Sequence, residues 1–155
     1  MMAKDAGVND GFNRALAAAR RELEDIGLDI VEAATRYLDK HGVNVDGDLR
    51  NSITSEVKRE LGLLTLEAGT NVRHAIFVHE GTRPHWPPEA PIRRWVRKKF
   101  NLKGKPKEID RVTFFVRQKI SQQGTKARPF LAVALRLYRN VIAKRIGDAI
   151  RAELR

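Results

Sequence analysis

The residues best equipped for chemistry crowd into one stretch: His74, His79 and His85 fall within twelve residues, with Glu80 among them. Imidazole and carboxylate are ligands that zinc takes, and a poised histidine can move a proton in phosphodiester hydrolysis. A metal-dependent nuclease built on His79, His85 and Glu80 is therefore one reading. Its support is thin, because no two histidines here stand four apart as a helical ligand pair does. The chain has no cysteine, which removes disulfides, thiolate metal sites and cysteine nucleophiles. The remaining acids, such as Glu56, Glu60 and Glu67, are dispersed rather than clustered. There is no glycine-rich phosphate loop, no serine elbow, and no zinc-finger or helix-turn-helix signature. The pattern predicts a protein that is not an enzyme and needs no cofactor or metal.

The same stretch, Val78 to Pro88, reads more readily as a stiff turn. Gly81 tolerates a positive φ, while Pro84, Pro87 and Pro88 fix φ and push the residues before them into extended backbone. Trp86 in such a loop is either an anchor plugged into its own core or a contact offered to a neighbour. A second pinch point follows at Ala127-Arg128-Pro129-Phe130. The expectation is that Trp86 and Phe130 hold the two together. The candidate oligomer or partner interface is His79, Glu80, Thr82, Arg83, His85, Trp86, Arg128 and Phe130.

Charge supplies a second candidate surface. Thirty Lys and Arg against nineteen Asp and Glu give 155 residues a formal charge of +11, enough to attract polyanions. Arg93, Arg94, Arg97, Lys98, Lys99, Lys103, Lys105 and Lys107, with Trp86 and Trp95 nearby, form a candidate face for DNA or an acidic partner. The competing reading is that Trp95 lies on the apolar side of its helix and the charges only solvate the other side. No apolar run approaches the roughly 20 residues of a membrane span, and the N-terminus lacks a signal peptide's apolar core. The expectation is a soluble chain made in the cytosol.

These residues need elements to hold them. Residues 1–9 read as a flexible arm and 10–155 as a single domain. Asp10 can cap a helix whose stripe is Phe12, Leu16, Ala19, Leu23, Ile26, Ile30, Ala33 and Tyr37, ending at Gly42, with Gly27 a place where it can bend or break. Such a helix is about as long as a compact domain of this size or longer, so either part of its stripe is left for another chain to cover, or the helix, bent or broken at Gly27, lies across its own sheet. After a connector at 42–52, whose tail from Asp48 to Ile53 can make one helical turn, the period shifts to two. That predicts two strands joined around Gly62 and ending at Gly69-Thr70-Asn71. Residues 73–79 predict one or two helical turns or a short strand, with the helical turn favoured. Glu89 to Phe100 predicts a basic helix with Ile92, Trp95, Val96 and Phe100 on its apolar side. Glu108 or Asp110 opens another helix, with Val112, Phe115, Val116, Lys119 and Ile120 at helical spacing. A last helix runs from Phe130 to Leu154 and buries Leu131, Leu135, Tyr138, Ile142, Ile146, Ala149 and Ile150. The fold class is α+β, with a long N-terminal helix and C-terminal helices packed on a small antiparallel sheet.

Three short motifs in this order carry a family resemblance. They are Gly47-Asp48-Leu49-Arg50-Asn51-Ser52-Ile53, then Ala75-Ile76-Phe77-Val78-His79-Glu80-Gly81-Thr82-Arg83-Pro84, then Gly124-Thr125-Lys126-Ala127-Arg128-Pro129-Phe130-Leu131-Ala132-Val133-Ala134-Leu135. Together they resemble the tail-component family of tailed bacteriophages typified by HK97 gene product 10, over roughly residues 10–150. The chain departs from the family pattern at His74, at the Val78-His79-Glu80 order and at Val133. The resemblance implies a structural virion protein, a neck or tail-completion subunit assembled in the host cytoplasm. It implies a homo-oligomeric ring, commonly a hexamer, at the head-tail junction, adjoining a head-closure or connector protein and a tail-terminator protein. Genomic DNA would pass non-specifically through its lumen, with no membrane involved. Six copies at +11 each would repel one another unless DNA or acidic neighbours neutralise part of the charge, which gives the segment Arg93 to Lys107 a role at such a surface. The alternative is a small basic nucleic-acid-binding protein that is not an enzyme.

Overall fold

The computed structural model describes residues 2–43 and 47–155. Residue 1, the centre of the expected connector at 44–46, and the side chains of residues 2–8 in the expected arm lie outside the described residues. The described chain is α+β, as its patterning predicts, with seven helices and one antiparallel hairpin. It forms two compact units: Met1–Tyr37, Ile53–Thr70 and Leu131–Arg155 make the first, and Leu38–Ser52 with Asn71–Phe130 makes the second. No helix among the described residues is long and apolar enough to cross a membrane.

In the first unit, α1 (Met2–Lys40) does not open at Asp10. Asp10 lies inside the helix and faces Arg14 across 3.8 Å, one turn on. Ala19, Leu23, Ile26 and Ile30 are buried as the stripe predicts, whereas Phe12 is exposed. Beyond Ile30 the buried positions are Ala34 and Leu38, not Ala33 and Tyr37. At about 100° per residue each of these steps of four turns the buried face by about 40°, so it winds round α1 from Ile26 to Leu38 instead of staying on the straight stripe that alternating steps would keep.

Gly27 neither bends nor breaks α1; it lets the hairpin come close. A Cβ there would sit 2.6 Å from Ser55 Oγ and 2.9 Å from Leu66 Cδ1. The strands β1 (Ile53–Glu60) and β2 (Leu63–Thr70) pair antiparallel with Val57 opposite Leu66 and Ser55 opposite Ala68. Residues opposite one another share a face, so Ile53, Ser55, Val57, Leu66 and Ala68 line the side that α1 covers. On the other side Glu56 stands opposite Glu67, a repulsive pairing that Lys58 relieves by donating to Glu67 at 2.6 Å. That hydrogen bond first, and the Glu67 charge with it, holds the Lys58 ammonium pKa above its ordinary value. The turn is Leu61-Gly62, with φ of 49° and 83°, the two positive values of a type I′ hairpin.

The expected last helix is two: α6 (Phe130–Tyr138) and α7 (Ile142–Glu153). At the break the Val141 amide donates to Tyr138 O, 3.0 Å away and only three residues back. No proline or glycine marks the place; Asn140, a weak helix former whose side chain competes for backbone partners, sits in it. Arg145 of α7 then donates to Glu22 and Asp29 of α1, both at 2.6 Å. The Asp29 hydrogen bond first, then Glu22, holds the Arg145 guanidinium pKa above its ordinary value. Ala134 is buried in place of the expected Leu135, which is 46% exposed.

In the second unit, α2 (Asp48–Asn51) is the predicted single turn, with Leu49 buried. It is followed by α3 (Ala75–Glu80), α4 (Glu89–Lys99) and α5 (Pro106–Gln123). The segment expected as a turn of helix is α3. Helices α4 and α5 pack together, with Val96 on α4 fully buried as its apolar side predicts. Helix α5 opens at Pro106 rather than at Glu108 or Asp110, because a proline at the first helical position loses no hydrogen bond and brings φ already set. Its buried side is Ile109 and Thr113, so the expected Phe115 lies outside, 58% exposed.

Candidate functional site

The two pinch points meet within the second unit, through a repeated dipeptide. Gly81-Thr82 and Gly124-Thr125 form an antiparallel bridge: each threonine amide donates to the other's carbonyl, at 3.1 and 3.2 Å, and the hydroxyls are 3.0 Å apart. Both glycines have positive φ, 74° and 70°, which ends α3 and α5 abruptly and turns the chain into the bridge. The backbones approach so closely that a Cβ on Gly124 would lie 1.9 Å from Thr82 O, and one on Gly81 would lie 2.4 Å from Thr125 O. Glycine is required here both for its dihedrals and for its missing side chain. Three residues on, the Arg128 amide donates to Val78 O at 2.8 Å.

Phe130 is buried, and His79 meets it edge-on with ring centroids 5.4 Å apart. His79 therefore braces the clasp. His85 does a different job: its Nδ1 lies 2.9 Å from Arg83 O, and its amide reaches Ile120 O at 3.4 Å. Glu80 and Arg83 are exposed. Among the described residues no three histidine, aspartate or glutamate side chains are grouped to hold a metal ion.

Trp86 does not join Phe130, contrary to expectation. It is half-exposed and leans on α5, edge-on to Phe114 at 6.2 Å between centroids, with the Arg117 guanidinium 4.9 Å from its ring centre. Arg117 is fixed in turn by donating to Pro87 O at 3.0 Å and to Glu89 at 2.9 Å. Pro87 is buried beneath. The proline-rich loop is thus fastened to α5 through its backbone and Pro87, leaving the indole turned outward. Phe130 packs with His79 because both flank the clasp, whereas four further residues of loop carry Trp86 away from it.

The basic segment divides. Arg93 is spent on Asp110 at 2.6 Å and Glu89 at 3.8 Å, and Lys105 on Glu108 at 3.7 Å. Lys98 also has an interaction partner. Arg94, Arg97, Lys99, Lys103 and Lys107 are exposed and make no ion pair with a described residue. Trp95 lies on the half-buried side of α4, edge-on to Phe100 at 5.9 Å. Sequence reasoning overlooks Thr125, Phe114 and Arg117. The repeated Gly-Thr dipeptide is a readable signal for the first; nothing local marks the other two.

No family model, curated protein or solved structure matches the chain.

Proposed function

We propose that this chain is a structural subunit of the neck of a tailed bacteriophage or gene-transfer particle. In this reading it forms a ring, commonly a hexamer, that joins the tail to the head-side connector and lets DNA pass. The observation that supports the reading best is the clasp. The two segments that carry most of the family resemblance lie some forty residues apart in sequence, yet they bond to each other through a Gly-Thr dipeptide from each. Motifs that act as one structural unit behave in this way.

Exposed apolar side chains beside the clasp add weight. Ile76 and Phe77 on α3 are 54% and 58% exposed, and Trp86 is 50% exposed. A ring subunit needs such surface, because each copy offers one patch to a different patch on the next. The test is the mass of the purified protein alone and with isolated tails or tail-free capsids. A ring, or stoichiometric uptake at the head-tail junction, is the expected result. A chain that ignores both particles but binds DNA less tightly as salt rises is instead the small nucleic-acid-binding protein.

A further inference from the structure

We propose that the outer face of α5, together with Trp86, binds single-stranded nucleic acid by stacking bases on an aromatic ladder flanked by cations. Helix α5 buries Ile109 and Thr113. On the opposite side of the same helix stand Lys107, Arg111, Phe114, Phe115 and Lys119, every one exposed. Their spacing of four, three or four, and four keeps them on one stripe, about 18 Å long at 1.5 Å per residue. The stripe therefore reads cation, cation, two rings, cation, with one acid, Glu108, beside Lys107 and paired to Lys105 at 3.7 Å.

The rings continue past the helix. Phe115 lies edge-on to Phe114 at 5.9 Å, and Phe114 edge-on to Trp86 at 6.2 Å. Arg117 sits on the indole and is bonded to the loop that carries it, so Trp86 is held in place although half-exposed. A base that covered the free part of the indole would find a ring already ordered, at little cost in side-chain freedom.

Electrostatics select a polyanion. The stretch 71–130 holds fifteen Lys and Arg against four Asp and Glu, a surplus as large as the whole chain's +11. All but one of those acids are neutralised: Glu89 by Arg117 and Arg93, Glu108 by Lys105, and Asp110 by Arg93. Lys107, Arg111 and Lys119 make no ion pair with a described residue. The same face of a second copy would be repelled, whereas a phosphate backbone would be drawn in. Open rings favour unpaired bases over a duplex, whose bases are already stacked on each other.

The inference does not depend on the virion reading, and its test uses only the purified chain. Binding of a fluorescent oligothymidylate and of a duplex of equal length is followed by anisotropy across a salt series. The single strand is expected to bind more tightly, with a log-log salt slope of about −2 from three phosphate contacts. Trp86→Ala with Phe114→Ala is expected to weaken it by about ten- to a hundredfold, while Trp86→Phe with Phe114→Tyr retains binding because both rings remain. Phe77→Ala, equally exposed but off the ladder, serves as the control and leaves affinity unchanged. Duplex preference, absent binding, or a double-alanine variant that binds like the parent overturns the proposal. So does loss of self-association in that variant with no change in DNA affinity, which would make the face an interface between copies.

Discussion

At the scale of single residues, the glycines of the clasp separate two physical effects. Gly62 and Gly124 both have positive φ, but Gly62 faces open space whereas Gly124 has Thr82 O where its Cβ would go. Gly62→Ala is therefore expected to cost about 1 kcal/mol, the penalty of a side chain in the left-handed region alone. Gly124→Ala adds a clash with backbone that cannot swing aside and is expected to cost about 3 kcal/mol or more. Urea unfolding of the two variants measures the gap; equal costs would mean that the bridge yields easily. Leu61 offers the opposite change. It occupies the first position of the hairpin turn at φ 49°, fully exposed, so Leu61→Asn is expected to stabilise by roughly 0.5–1 kcal/mol, read as a raised urea midpoint.

At the scale of elements, the sequence shows which segments are helix or strand more clearly than where each helix opens or which way it faces. The hairpin is legible because the period changes from four-and-three to two at Ile53, and Gly62 lies where the chain must turn. The break between α6 and α7 is not, since Asn140 is no breaker, and the ties from Arg145 to Glu22 and Asp29 connect residues more than a hundred positions apart. The facing of α5 is misread for a related reason: Phe115 looks like core, and only tertiary packing shows that Ile109 and Thr113 take that side. Gly27 shows the same limit. In the sequence it resembles a helix breaker, whereas in the fold it is where α1 and the hairpin touch. Alanine there would gain about 1 kcal/mol of helix propensity yet overpack Ser55 and Leu66, at roughly 1–3 kcal/mol. Gly27→Ala is thus expected to destabilise by about 1 kcal/mol net, and Ser55→Gly in the same chain to recover part of it. Gly11→Ala, whose Cβ would meet only Leu154 at an ordinary 3.8 Å, is expected to stabilise. A double-mutant cycle with no coupling between positions 27 and 55 would refute the contact.

At the scale of the whole molecule, the charge lies unevenly along the chain. Both tryptophans also lie in the second unit, so their fluorescence reports on it alone, while circular dichroism reports on all the helices. Adding salt screens the repulsion within residues 71–130, and the fluorescence midpoint of thermal unfolding is expected to rise by a few degrees, from roughly 0.5–1 kcal/mol. The midpoint seen by circular dichroism should rise less; identical shifts would mean that the surplus costs the second unit nothing. The clasp carries a different consequence, for time rather than for energy. Thr82 and Thr125 enclose α4 and α5, which can form and pair through contacts near in sequence before the ends of the loop are brought together. The bridge is then a late event in folding, absent from the rate-limiting barrier. Stopped-flow measurements on Gly124→Ala should find refolding at nearly the parent's pace and unfolding much faster. The glycines and threonines of the clasp would determine how long the second unit stays folded rather than how quickly it gets there.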